Sequence, residues 1–138
     1  MGRIEQKVAV ITGGAGGIGK AACQTFVDEG AKVLLTDVDE GALKKIVKEI
    51  GSKNVSYCVT DVKGLQDNLA MAALAKDLYG GIDIFIANAG IEGEVKPIIE
   101  CDVDRFDEVI AVNVKGVFLG LQAVVPEMIK RGGGSIVI

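Results

Sequence analysis

Between an apolar run, KVAVI (7–11), and a segment with helical spacing lies TGGAGGIGKA (12–21), with glycine at positions 13, 14, 16, 17 and 19. Glycine at that density bares the backbone, so main-chain N–H groups can close on a ligand. A helix starting directly afterwards adds free amides and a dipole that favour an anion. The chemistry this points to is phosphate binding, and three nucleotide-binding templates can be laid on the stretch. The hydrolase loop G-x-x-x-x-G-K-[ST] is met by Gly14, Gly19 and Lys20, but residue 21 is alanine, which removes the hydroxyl that would ligate magnesium. G-x-G-x-x-G is met by Gly14, Gly16 and Gly19, a weak match in a chain with 19 glycines. T-G-x-x-x-G-x-G is met by Thr12, Gly13, Gly17 and Gly19. A tight strand-to-helix turn is the plainer alternative, although one glycine would serve it.

Other groups narrow the chemistry. Asp37 stands eighteen residues past Gly19 at the end of a second strand-like run. A carboxylate there accepts hydrogen bonds from ribose hydroxyls and repels a 2′-phosphate, so it favours NAD over NADP. It can also be read as an acid at the start of the next helix, a role open to Asp39 and Glu40. The chain has no histidine, which excludes His-based triads and proton shuttles and removes the commonest zinc or iron ligand; no metal site is expected. Cys23, Cys58 and Cys101 are far apart without CxxC spacing and read as buried and unpaired. A formal charge of −4 with scattered Lys and Arg gives no footprint for nucleic acid. The apolar region 109–125 is broken by Asn113, Lys115 and Gln122, which argues against a membrane span despite the GxxxG of Gly116 and Gly120. A soluble, cytoplasmic protein is expected.

The elements that must position these groups follow from periodicity. At 138 residues and 49% hydrophobic the chain has the size of one domain, 1–138. Strands are expected at 7–12, 31–37, 54–62 and 82–90, with helices from Ile18 to Glu29, through Leu43, Ile46, Val47 and Ile50 up to Gly51, and from Leu65 to Tyr79. A long helix is expected from Asp104 to Arg131, its inward stripe running Phe106, Ile110, Val114, Val117, Leu121, Val124 and Met128, with Pro126 bending its last third. GGGSIVI begins a fifth strand. Near-continuous apolar strands alternating with helices predict an α/β fold: a doubly wound parallel sheet of Rossmann type with helices on both faces. The chain stops within an apolar strand, so five strands of a larger sheet, truncated after the fifth, are expected.

In its T-G-x-x-x-G-x-G loop, Asp37, Asp61, the N-A-G of Asn88-Ala89-Gly90, and Asn113, the sequence resembles the short-chain dehydrogenase/reductase family. These matches fall in the family's order over essentially the whole chain; Ala87, where many members carry a second Asn, is a small departure. The resemblance implies a dinucleotide, NAD, with Gly13, Gly16, Gly17, Ile18 and Gly19 around the pyrophosphate and Asp37 on the adenosine ribose. Asp61 and Val62 would contact adenine, with turn formation as the rival role for Asp61. Asn88 and Gly90 would lie at the nicotinamide ribose, with Asn88 in an alternative structural role partnered by Thr12. Asn113, expected on the buried helix face, is implied as catalytic, disturbing the helix and holding a water in a proton relay; a plain buried amide bond is its alternative. The family transfers a hydride between nicotinamide and an alcohol or ketone using a Ser and a Tyr-x-x-x-Lys, none of which can be assigned here: Tyr57 and Tyr79 are each followed four residues on by Asp. The expected function is thus an NAD-dependent oxidoreductase of which this chain holds the cofactor site and is inactive alone. The alternative is a non-catalytic dinucleotide-binding module or inactive fragment. The family's long helix commonly forms a subunit interface, implying a homo-oligomer through 104–131.

Overall fold

The computed structural model describes residues 2–138. Its order is β1 (Val8–Ile11), α1 (Gly17–Asp28), β2 (Lys32–Asp37), α2 (Glu40–Ile50), β3 (Val55–Val59), α3 (Leu65–Tyr79) and β4 (Ile84–Ile86). A 3₁₀ turn (Ile98–Glu100) then leads to α4 (Val103–Ile110), a π-helical turn (Ala111–Lys115), α5 (Gly116–Lys130) and β5 (Ser135–Val137). The sheet order is β3-β2-β1-β4-β5, with every neighbouring pair parallel. This is the doubly wound arrangement that the alternating pattern requires.

Strand side chains alternate between two cores because the pleat repeats every two residues. Ala9, Ile11, Val33 and Leu35 pack with Cys23, Leu43 and Ile46 beneath α1 and α2. Val10, Leu34 and Phe85 pack with Met71, Ala75, Val124 and Met128 beneath α3 and α5. With both faces covered, β1 is buried along its length. Local signals set the element ends. Asp39 caps α2, its Oδ1 accepting from the Ala42 N–H at 2.9 Å, and Gly51 closes that helix at φ 62°. At the opposite edge of the sheet, Asp83 Oδ2 accepts from the Val8 N–H at 2.9 Å and from Arg131 Nη2 at 2.8 Å, locking β1 and the end of α5 to the start of β4.

The long helix departs from expectation in phase. Phe106, Ile110 and Val114 are exposed, and the inward face is Gly116, Leu119, Gly120, Ala123, Val124 and Met128. A π turn spends an extra residue per turn, so a stripe extrapolated across it slips around the axis. The small residues face inward because the helix lies too close for larger ones: a Cβ on Gly120 would stand 2.8 Å from Phe85 Cζ, and one on Gly116 2.8 Å from Val62 Cγ2. α5 runs through Pro126 to Lys130. By length and composition Val103–Lys130 could cross a membrane, yet this inward face is packed against α3 and the sheet. Of the cysteines only Cys23 is buried; Cys58 and Cys101 are half-buried, at the end of β3 and beside the 3₁₀ turn, where cover is thin. All three thiols are free.

Candidate functional site

The glycine loop leaves β1 at the carboxyl edge of the sheet and stays tied to both neighbouring strands. The Thr12 N–H donates to Ile86 O at 3.0 Å and the Gly14 N–H to Thr36 O at 2.8 Å, extending the ladders one residue on each side. Gly13, at φ 66°, makes the turn between them, and it is the one glycine of the loop in the left-handed region. Gly14 and Gly19 serve space. A Cβ on Gly14 would strike the Leu35 side chain, and one on Gly19 would strike Gly13 O and come within 2.8 Å of Gly14 Cα. Gly16 and Gly17 meet no such obstacle; Gly17 has no neighbour within 4 Å of a built Cβ. Their bare backbone opens on a cavity of about 270 Å³ shared with Gly13, Ile18, Asp37, Asn88 and Gly90. Gly16, as N-cap of α1, offers no side-chain hydrogen bond, so the first-turn amides of Gly17, Ile18 and Gly19 remain open to an anion. Gly14 is required by its contact with Leu35, twenty-one residues on in β2, which no local pattern reveals.

Asp37 closes this loop from the side. Its Oδ2 accepts from the Ala15 N–H at 2.9 Å, and its Oδ1 from the N–H groups of Val38 at 2.8 Å and Asp39 at 3.2 Å. The helix-capping role belongs to Asp39, which leaves Asp37 at the rim of the loop. A second cavity of about 230 Å³ adjoins the first, lined by Gly13, Asp37, Val38, Asp61, Val62 and Gly90 among others. Asp61 forms a turn there, its Oδ1 accepting from the Lys63 N–H at 3.0 Å while its own N–H donates to Asp67 Oδ2 at 2.8 Å. Val62 is buried beneath it. Both the turn and the cavity-lining positions of Asp61 are therefore realised together. Thr60, Lys63, Ala89, Ile91, Glu108 and Val112 complete the lining, and neither they nor Val38 stand out in the sequence. They are of ordinary type; only their positions just past strand ends, or on α4 and the π turn, could have flagged them.

Asn88 ties the two central strands at the same edge. Its Nδ2 donates to Thr12 O and Gly13 O, both at 3.1 Å, and the Ala89 N–H donates to Thr12 Oγ1 at 3.1 Å. Asn113 sits in the π turn. Contrary to the buried position expected for it, the residue is exposed, because the helix face that carries it turns away from the core. Its amide is nevertheless satisfied at both ends by one residue: Nδ2 donates to Ile91 O and Oδ1 accepts from the Ile91 N–H, each at 2.9 Å. Gly90 lies against this pair, where a Cβ would stand 3.4 Å from Asn113 Oδ1, an ordinary contact.

The loop, Asp37, Asp61, Val62, Asn88, Gly90 and Asn113 thus gather along one edge, where the strand order reverses between β2-β1 and β1-β4. An open α/β sheet binds its ligand at such a point. Among the described residues, main-chain amides face one cavity, in whose lining no basic side chain occurs, while Asp37, Asp61 and Glu108 together with Lys63 rim the other. The arrangement can hold an anion on backbone alone and accept hydrogen bonds beside it.

Known proteins share this architecture. An uncharacterised oxidoreductase of Bacillus subtilis is 40% identical over 139 residues, covering 99% of this chain and 50% of the relative. A 2-dehydro-3-deoxy-L-rhamnonate dehydrogenase (NAD(+)) of Sphingomonas sp. is 40% identical over 139 residues, covering 99% of this chain and 54% of the relative. The crystal structure of an NAD+-bound xylitol dehydrogenase superposes with a TM-score of 0.91 at 31% identity, over 97% of this chain and 52% of that one. The chain spans about half the length of the curated relatives it matches. The family model for short chain dehydrogenase matches residues 7–138, from the start of β1 through β5, and so takes in every element that builds the edge described above; the chain belongs to the short chain dehydrogenase family.

Proposed function

We propose that the protein is an NAD-dependent oxidoreductase that moves a hydride between nicotinamide and an alcohol or ketone, this chain holding mainly the cofactor site. The observation that carries the reading is the Asp37 carboxylate, hydrogen-bonded to the Ala15 N–H of the glycine loop at the junction of the two cavities. The residues present fit a dinucleotide: the open cradle at Gly16 and Gly17, which side chains would fill, lies beside free helix amides and an acid. Gly13, Gly16, Gly17, Ile18 and Gly19 would hold the pyrophosphate, Asp37 the adenosine ribose hydroxyls, and Asp61 with Val62 the adenine. Asn88 and Gly90 would bound the nicotinamide ribose. When bound, the nicotinamide supplies the hydride acceptor or donor. Asn113, by grasping Ile91 across the π turn, would set the segment after β4 against that end and hold a water for proton transfer. The NAD(+) in the name of the Sphingomonas relative and the NAD+ in the xylitol dehydrogenase structure support the choice of cofactor. Asp37 supports NAD over NADP on charge: no basic side chain lines the loop cavity, and Lys63 in the adjoining cavity is offset by the Asp61 carboxylate 3.8 Å away. The reading includes a cytoplasmic, homo-oligomeric protein acting on a small molecule.

Calorimetric titration of the complete gene product with NAD and NADP, followed by absorbance assays of NADH formation with a panel of alcohols, tests this. NAD is expected to bind more tightly, and at least one alcohol to be oxidised. The alternative reading is a module that binds the dinucleotide without chemistry. Tight NAD binding with no turnover across the panel would select that reading. The 138-residue chain by itself is expected to show no turnover under either.

A further inference from the structure

Asn68, in the first turn of α3, is wholly buried, with Met71 and Ala72 of its own helix also in the core and its Oδ1 turned toward Gly120 of α5. Its Nδ2 donates to two carbonyls of the turn before the helix, Val62 O at 2.9 Å and Gly64 O at 2.8 Å. Its Oδ1 has no partner among the described residues. Stranding a buried acceptor costs about 1–3 kcal/mol, a cost that a leucine filling the same space would not carry. The buried amide therefore destabilises the fold unless its donors do something an apolar side chain cannot.

Those donors act on one short turn. Holding Val62 O fixes the plane of the Val62–Lys63 peptide, and with it the direction of Val62 and of Asp61 before it. These two residues line the cavity on its third-strand side. From outside, Asp61 Oδ1 accepts from the Lys63 N–H and Asp61 O accepts from the Gly64 N–H at 3.0 Å. From inside, Asn68 grips two of these four residues, Val62 and Gly64, while Asp67 Oδ2 accepts from the Asp61 N–H at 2.8 Å. We infer that Asn68 is a positioning residue for the base-binding end of the cavity: it touches no ligand, and it holds the Asp61–Gly64 turn in the form that receives the adenine ring.

This rests on the cofactor reading above, and the test separates the two. Wild type, Asn68→Leu and Asn68→Ala forms of the complete gene product are titrated with ADP-ribose, and each is compared for NAD against nicotinamide hypoxanthine dinucleotide, with folding checked by circular dichroism. Both variants are expected to lose roughly tenfold in ADP-ribose affinity, the effect of about one neutral hydrogen bond, and to discriminate less between adenine and hypoxanthine. A role confined to stability would move the melting temperature and leave that discrimination unchanged, which overturns the inference. Failure of ADP-ribose to bind wild type overturns the cofactor reading with it. If neither variant folds, amide exchange in wild type decides: ADP-ribose is expected to slow exchange at Lys63 and Gly64, and unaltered rates there overturn the inference.

Discussion

Asp37 carries the largest single share of the proposed specificity, and its geometry sharpens what its removal should do. The carboxylate contacts the glycine loop and the residues after β2 at once. Asp37→Ala is expected to weaken NAD binding by about 1.5–3 kcal/mol, the range for a hydrogen bond to a charged group, and calorimetry checks it; unchanged affinity would remove the assignment. At Cys23, burial pushes the thiol up to about 12 and leaves it protonated and shielded. Titration with a thiol reagent at pH 8 is therefore expected to modify Cys58 and Cys101 and to spare Cys23 until the chain unfolds. The position of Asp37 was legible because a fixed distance from a glycine turn to the next strand end is set by one helix and one strand. The exposure of Asn113 was not: the resemblance implies a disturbed helix there, but not which way the π turn rotates the face that carries it. Nor was the role of Gly14, whose reason lies across the sheet in Leu35.

At the scale of elements, the bounds of α3 could be read directly, since Gly80 in a left-handed conformation (φ 88°) stops the helix where the pattern does. The phase of α4 and α5 could not, because the helix changes pitch between them. Asp83 shows how elements far apart in sequence are locked. Its partial burial raises the carboxyl pKa, but the hydrogen bonds from Arg131 and the Val8 amide outweigh this and hold it below its ordinary value. A group lowered in the folded state stabilises above its unfolded pKa and loses that contribution as pH falls through the lower native value. Asp83→Asn is accordingly expected to cost about 1.5–3 kcal/mol at pH 7. In thermal melts the gap from wild type should narrow below about pH 4, where the unfolded carboxyl takes up its proton. A gap that stays constant to pH 2 would show that the charge contributes nothing.

For the molecule as a whole, the family resemblance implies a homo-oligomer through the long helix, and the small residues Gly116, Gly120 and Ala123 of that helix are spent on packing inside the chain. What the helix presents outward is Phe106, Val114 and Phe118, 61%, 57% and 58% exposed, with Ile110 between them at four-residue spacing. If the proposed homo-oligomer forms through this helix, Phe118→Glu is expected to lower the mass measured by light scattering on the complete gene product; a monomeric wild type would count against it. Fold class was legible because apolar strands alternating with helices admit few architectures, whereas the strand order depends on contacts that local pattern does not encode. That order has a consequence for how the molecule assembles. β1, β2 and β3 can zip together through short crossovers, but the β1–β4 seam joins Val8 to Asp83 across 75 positions of chain, a closure whose entropy must be met before its contacts repay it. Refolding should therefore run in two stages, with protection of β2 and β3 amides preceding that of β4. The crevice lies on that seam, so it is complete only when β4 docks on β1.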